Sequence, residues 1–411
     1  MNRRFVLCLV AVVAGVTANA RVGAAGRTAE AGSARTAAGG RQERAQTETL
    51  SPADLKSAID RLSALDYAVR MNAGRRLRRA PAAQAVPALL QAAKDHKDGY
   101  VRYDALVLLT GFNDPRTRAL MLAMLDDPND RLREVACEYA EHNPDPQLVA
   151  PLLKALAGET GEFVRPALLR ALAAHGADPK VRATLLFEIP RGQTPFRSAL
   201  IEALGDYRAG YAVGPLVETV QMEGPLQVDA AIALGKIGDR RALAALSAAQ
   251  RSASRDVQPQ VAAAICLLGV NCASHVEYID KTLRFAVKYV GFQPLLRSAA
   301  AAAGALGQNG NADAINLLLD AGIPTEDPAR AQIALALGAV ALRNTPATLA
   351  ALEKRTDRDQ AVLLLRDAFD MLEEPYEKER FFVAVRRAYW QAAGGSESRK
   401  VAAELIAKLE F

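Results

Sequence analysis

Aromatic residues make up only 5% of this 411-residue chain, with a single Trp. Few segments alternate β-branched or aromatic residues with polar ones, so no strand is expected. Histidine is nearly as scarce, at four, and none of His96, His142, His175 and His275 shares a helix with another at metal-ligand spacing. No metal site is expected. Cysteines also number four. Cys8 lies in an N-terminal apolar run, Cys137 on an apolar face, and Cys266 and Cys272 flank a turn that would let them pair as a disulfide. No Cys has a neighbouring His, no Ser sits in a nucleophile elbow, and no Gly-rich stretch reads as a phosphate loop. No catalytic residue and no cofactor-binding residue is therefore expected.

A strong excess of charge is missing too. The net charge is +5, of which Arg3 and Arg4 contribute two. Residues 21–50, with five Arg and three Glu, contribute another two and leave +1 on the remainder. A nucleic-acid groove would need a strong basic excess there, so no nucleic-acid partner is expected.

The apolar run Phe5–Val16 is too short to span a bilayer, follows Arg3-Arg4 and precedes Ala18-Asn19-Ala20. This is the pattern of a signal peptide over residues 1–20, cleaved after Ala20. The chain is expected to be exported, periplasmic or secreted, with no membrane span after cleavage. Residues 21–50 lack large apolar side chains and read as a disordered Ala/Gly/Arg-rich tether. Folding should begin at Ser51-Pro52, where serine can cap a helix and proline fits its first turn.

What the chain has in abundance is alanine, and a repeat. An apolar residue followed by Arg recurs at Arg70, Arg102, Arg133, Arg165 and Arg197, in steps of 32, 31, 32 and 32 residues. A second column sets Pro87, Pro151 and Pro215 just before the apolar pairs Leu89-Leu90, Leu152-Leu153 and Leu216-Val217. The prolines suggest first-turn positions, and Leu153 is expected in the shared core. Leu-Gly recurs at Gly205, Gly235, Gly269, Gly307 and Gly338, where glycine would close helices in the left-handed conformation. The segment "ALGKIGDRRAL" at 233–243 is one such junction. Each unit is a helix pair, and pairs of this size bury their apolar faces only by stacking. The fold class is therefore all-α: an α-solenoid, a superhelical array of about ten antiparallel helix pairs.

At "VPALLQAAKD" (86–95), "YVRYDALVLL" (100–109) and "ALGKIGDRRAL", the sequence resembles the HEAT repeat family, especially the short HEAT-like repeats of the phycobilisome-lyase type. The resemblance covers residues 65–355; the array is placed at 51–355, with 356–411 as a helical cap continuing it. In such repeats the Arg column forms a structural ladder, with acids preceding it (Asp66, Asp127, Glu159) tying the turn to the next helix. Gln227 replaces Arg in the following unit. The paired His-Glu motifs of HEAT-type metal hydroxylases are absent.

The longest Leu-Gly step, 38 residues, contains Tyr278, Phe285, Tyr289 and Phe292 at spacings of 7, 4 and 3. They are expected to fill a wider gap between helices, with a partner-binding hot spot as the alternative. Phe369, Phe381, Phe382, Tyr389 and Trp390 read as the closing cap, and "EEPYEKER" (373–380) as a solvated helix start. The function expected is a non-enzymatic scaffold binding a protein partner along its concave face. The alternatives are a lyase- or chaperone-like protein acting on a protein-bound cofactor, and a structural envelope component.

Overall fold

The computed structural model describes residues 48–411; the expected signal peptide and nearly all of the tether lie outside them. The last tether residues belong to the fold. Leu50 is buried, its N–H donates to Gln84 Oε1 and its carbonyl accepts from Gln84 Nε2.

The described residues form helices and connecting turns, without strands. In chain order the first helices are α1 (Pro52–Asp60), α2 (Tyr67–Arg79), α3 (Ala82–Asp95), α4 (Gly99–Thr110), α5 (Pro115–Met124), α6 (Asp130–His142), α7 (Val149–Gly158) and α8 (Val164–Ala174). The middle comprises α9 (Pro179–Glu188), α10 (Thr194–Asp206), α11 (Val213–Gln221), α12 (Leu226–Ile237), α13 (Leu243–Ser252), α14 (Gln258–Leu267), α15 (Cys272–Lys288) and α16 (Gln293–Gln308). The last are α17 (Ala312–Gly322), α18 (Ala329–Arg343), α19 (Thr345–Glu353), α20 (Arg358–Met371), α21 (Pro375–Gln391) and α22 (Glu397–Lys408). Odd-numbered helices through α19 form an outer layer and even-numbered ones through α20 an inner layer. From α4 onward, consecutive inner helices pack side by side far more extensively than consecutive outer ones.

Local chemistry sets the boundaries. The hydroxyl of Ser51 accepts from the Asp54 N–H and opens α1, with Pro52 in its first turn. At the 233–243 junction Gly238 takes φ +79°, closing α12, and the Asp239 carboxylate accepts from the Arg241 N–H to start the next turn. The proline column does not keep to first turns: Pro87 is the sixth residue of α3. In the apolar pairs, the first member is the core residue. Leu89, Leu152 and Leu216 have no exposure, whereas Leu90, Leu153 and Val217 are half-buried. The register is thus one residue earlier than placing Leu153 in the core.

The Leu-Gly column also has a different cause from the expected one. Only Gly269 of the five has positive φ. Gly205 and Gly235 lie inside inner helices, where an added Cβ would come within 2.7 Å of Ala233 Cα and 2.8 Å of Ala264 Cα and O, atoms of the next inner helix. Gly307 faces Val340 and Gly338 faces Ala368 in the same way. Glycine lets inner helices approach closely, while the outer helices touch lightly; the array therefore curves towards its inner layer.

That curvature closes the molecule on itself. Helix α21 packs against both α18 and α4. Arg78 of α2 pairs with Glu379 at 2.6 Å, Arg386 donates to the Arg78 carbonyl at 2.6 Å, and Arg79 donates to the Phe411 carbonyl at 3.0 Å. The charge run at 373–380 is consequently no solvated helix start: Tyr376, Glu377 and Glu379 are buried. Phe369, Phe381 and Phe382 form a buried aromatic cluster with Phe411, and Tyr389 is buried, but Trp390 is exposed.

Candidate functional site: the hub and the aromatic edge

The inner helices end around a common hub. Arg170 of α8 binds Glu141 of α6 through Nε at 3.1 Å and Nη2 at 2.9 Å, and reaches Asp206 of α10 at 2.8 Å. Lys236 of α12 donates to Asp206 at 2.6 Å and to Gln308 of α16 at 3.4 Å. The Tyr207 hydroxyl donates to Glu141 at 3.0 Å. On the far side, Glu377 of α21 accepts from His142 at 2.6 Å, Arg343 at 3.2 Å and Arg380 at 2.6 Å. Several of these cations stand at inner-helix C-termini, where the helix dipole favours positive charge.

Electrostatics divides the hub acids into two groups. Burial alone would raise the Glu141 carboxyl, but Arg170 overrides it and holds it below the usual range. Burial is likewise overridden at Asp206 by Lys236 and Arg170, and at Glu377 by Arg343 and His142. Acids without such partners go the other way. Burial pushes Asp104 up to about 6 and Glu202, next to Asp229, up to about 8. Burial, reinforced by Glu134, raises Glu138 well above the carboxylate range. The hub is a lock of ion pairs among the chain's own helices.

The Arg column sits away from the hub, between the layers. Arg70, Arg102, Arg133, Arg165 and Arg197 donate to the carbonyls of Ala64, Ala93, Asp127, Glu159 and Ile189, at or near the ends of the preceding outer helices or turns. The acids connect differently from the expected pattern. Arg102 pairs with Asp127, Arg133 with Glu159 and Arg165 with Glu188, each acid lying one unit later rather than before its Arg. Asp66 caps the Val69 N–H. Among the described residues Arg197 has only the Ile189 carbonyl as its partner. The column continues where sequence reading saw an interruption: Gln227 donates to the Val220 carbonyl, and Arg330 and Arg358 cap Gly322 and Leu352. An amide supplies the same donor without the charge, a substitution hidden from any search for Arg alone.

Of the four central aromatics Tyr278 packs against the core, but the other three do not fill a gap. Phe285, Tyr289 and Phe292 are each more than 40% exposed, with Val290 beside them; Tyr278 is half-buried. They do not share one helical stripe either, because α15 ends at Lys288 and Phe292 belongs to the following 3₁₀ turn. The turn folds Phe292 back onto Phe285, with ring centroids 4.9 Å apart, and Tyr289 lies 4.8 Å from Phe285. Beside them a cavity of about 340 Å³ is lined by Tyr278, Phe285 and Leu295 and rimmed by Arg255 and Lys281. A disulfide joins Cys266 to Cys272 at the start of α15, and Cys137 is buried and free.

His175 is a core residue, with Nδ1 donating to the Ala171 carbonyl at 2.7 Å and Nε2 accepting from the Asp145 N–H at 3.0 Å. Among the described residues no cluster of His, Cys, Asp and Glu is arranged to hold a metal ion. Among the same residues no single helix is long and apolar enough to cross a membrane.

No curated protein matches the sequence. Among solved structures, the chain is similar to the Escherichia coli protein YibA at 16% identity, covering 53% of this chain and 82% of that one, with a TM-score of 0.39. It is also similar to the CpcE–CpcF complex of phycocyanin lyase from a Nostoc species at 21% identity, 58% and 92% coverage and a TM-score of 0.35. Human deoxyhypusine hydroxylase matches at 20% identity, 54% and 86% coverage and a TM-score of 0.27. The family model for HEAT repeats matches residues 55–141, the span of the first stacked helix pairs.

Proposed function

We propose that this chain is an exported, non-enzymatic HEAT-repeat scaffold that binds a protein partner, and that the partner engages the outer edge at α15 rather than the concave face. The observation that carries the reading is the cluster of Phe285, Tyr289 and Phe292, mutually packed yet exposed, in a chain otherwise poor in aromatics. Rigid aromatics lose little entropy on binding and dominate interface energetics. The hub supports this placement, since its central charges, Arg170, Glu141, Asp206 and Lys236, are paired within the chain. Arg255 and Lys281 at the rim favour a partner with an apolar anchor flanked by acidic side chains.

The test is crosslinking and capture from source-cell envelope fractions, comparing the native chain with the F285A/Y289A/F292A variant. A partner retained by the native chain and lost by a variant with an unchanged melting temperature supports the reading. A partner captured equally by both removes the edge from consideration. Export is tested separately, by fractionating cells that carry the full chain with and without residues 1–20. Equal distribution of the two forms would contradict it.

A further inference from the structure

The seam that closes the molecule contains a second cavity, of about 320 Å³. It is distinct from the aromatic edge and is built from both ends of the chain. Thr110 and Gly111 come from the end of α4, and the other walls from α18, α19 and α21.

Its walls combine two chemistries. Pro346, Val383 and Ala384 form an apolar side over the buried Leu342 and Phe381, and Arg343, Arg380 and Arg387 bring three guanidinium groups. The acids nearby do not balance them. Glu377 is shared between Arg343 at 3.2 Å and Arg380 at 2.6 Å, and also accepts from His142, while Glu374 lies 3.9 Å from Arg343, so the guanidinium left without a carboxylate is that of Arg387. Glu379, behind Gly111, is taken by Arg78 at 2.6 Å. Arg387 is exposed, and among the described residues no carboxylate pairs with it. A small cavity with unbalanced guanidinium on one side and hydrocarbon on the other matches one class of ligand. A carboxylate would be held by the forked donors, and an apolar body would replace water against the hydrocarbon.

We propose that the seam cavity binds a small organic anion, a carboxylate on an apolar body, with its charge at Arg387 and Arg380 and its body against Pro346, Val383 and Ala384. Because α4 contributes one wall and α21 another, the ligand binds only the closed molecule and stabilises closure by mass action.

The experiment is isothermal titration of the full chain with octanoate, octanol and inorganic phosphate in parallel, repeated on R387Q and A384L. Arg387 is exposed, so R387Q retains the fold, which circular dichroism verifies; A384L leaves every Arg in place and fills the cavity instead. R284Q, changing an exposed Arg on α15 outside the cavity lining, is the control. The expected result is saturable one-site binding of octanoate, weakened at least roughly tenfold by R387Q, blocked by A384L and untouched by R284Q, with octanol and phosphate much weaker. Octanol binding as well as octanoate would overturn recognition of the charge. Phosphate binding as well as octanoate would overturn the role of the apolar wall. Unaltered octanoate affinity in both R387Q and A384L, or no saturable binding at millimolar concentration, would overturn the site.

Discussion

Leu152 and Leu153 show how much one position matters. Both belong to the same apolar pair, yet Leu152 is fully buried and Leu153 half-buried. Leu152→Ala should cost about 2–5 kcal/mol, because the surrounding helices collapse only partly into the space left. Leu153→Ala should cost well under half as much. Urea melts of the two variants check this, and equal shifts would contradict the assigned register. Glu202 makes a prediction of opposite kind. Its carboxyl holds a proton to about pH 8 in the folded chain, against an ordinary value of 4.5. Between those values the native state keeps a proton that the unfolded chain has released, so this residue's contribution to stability falls as pH rises. Glu202→Gln should remove that decline, leaving the variant more stable than the native chain at pH 8 and little changed near pH 4.5. Melting temperatures across that range provide the measurement; parallel curves for the two proteins would refute the assignment. The pair Leu152-Leu153 was legible in the sequence, but which member faces inward was not. An apolar doublet is compatible with either rotation of the helix, and the packing of the neighbouring repeat decides between them.

At the scale of the element, the same glycine column admits two physical explanations that sequence cannot separate. Gly near a helix end can supply a left-handed closure or a close contact, and both conserve the spacing of the repeat. Gly269 does the first, with φ of +76°, as Gly238 outside the column does with +79°. Gly205 and Gly235 do the second, against the backbone of the next inner helix. Gly235→Val should therefore be severe, at least about 1–3 kcal/mol, because Ala264 Cα and O lie 2.8 Å from the added Cβ and backbone cannot give way cheaply. Gly158→Ala, at the end of α7 with nothing within 4 Å, should instead stabilise by roughly 0.4–1 kcal/mol. Thermal denaturation of this pair separates contact from conformation, and a neutral Gly235→Val would mean that the inner helices have room to spare. The Arg ladder was legible as a structural column because its period is the period of the fold. Its acid partners were misread because sequence proximity favoured the preceding acid, whereas stacking puts the next unit's acid closer: Arg102 reaches Asp127, 25 residues on.

Closure belongs to the whole molecule, and no local pattern encodes it. It follows from the small rotation between successive pairs, summed until the last helices meet the first. The buried acids of "EEPYEKER" looked solvated because their partners, Arg78 and His142, lie 301 and 235 residues away. An open solenoid unfolds as a chain of nearest-neighbour contacts, and its ends fray independently. A closed one has no free end, so its terminal helices should melt together with the middle. Glu379→Ala tests this directly. It leaves Arg78, only 13% exposed at its side chain, without its carboxylate, a loss on the order of 3–5 kcal/mol. The destabilisation should fall on the seam before the rest. Trp390, the single tryptophan and part of α21, reports the seam by fluorescence, while circular dichroism reports all helices. In the native chain the two urea transitions should coincide. In Glu379→Ala the fluorescence transition should come first and the radius of gyration from solution scattering should rise before helicity falls. Coincident transitions and an unchanged radius in the variant would show that α21 stays docked without this pair, leaving Tyr376, buried in the N-terminal core, and the bonds of Arg386 to the Arg78 carbonyl and Arg79 to the Phe411 carbonyl as the principal fastening of the two ends.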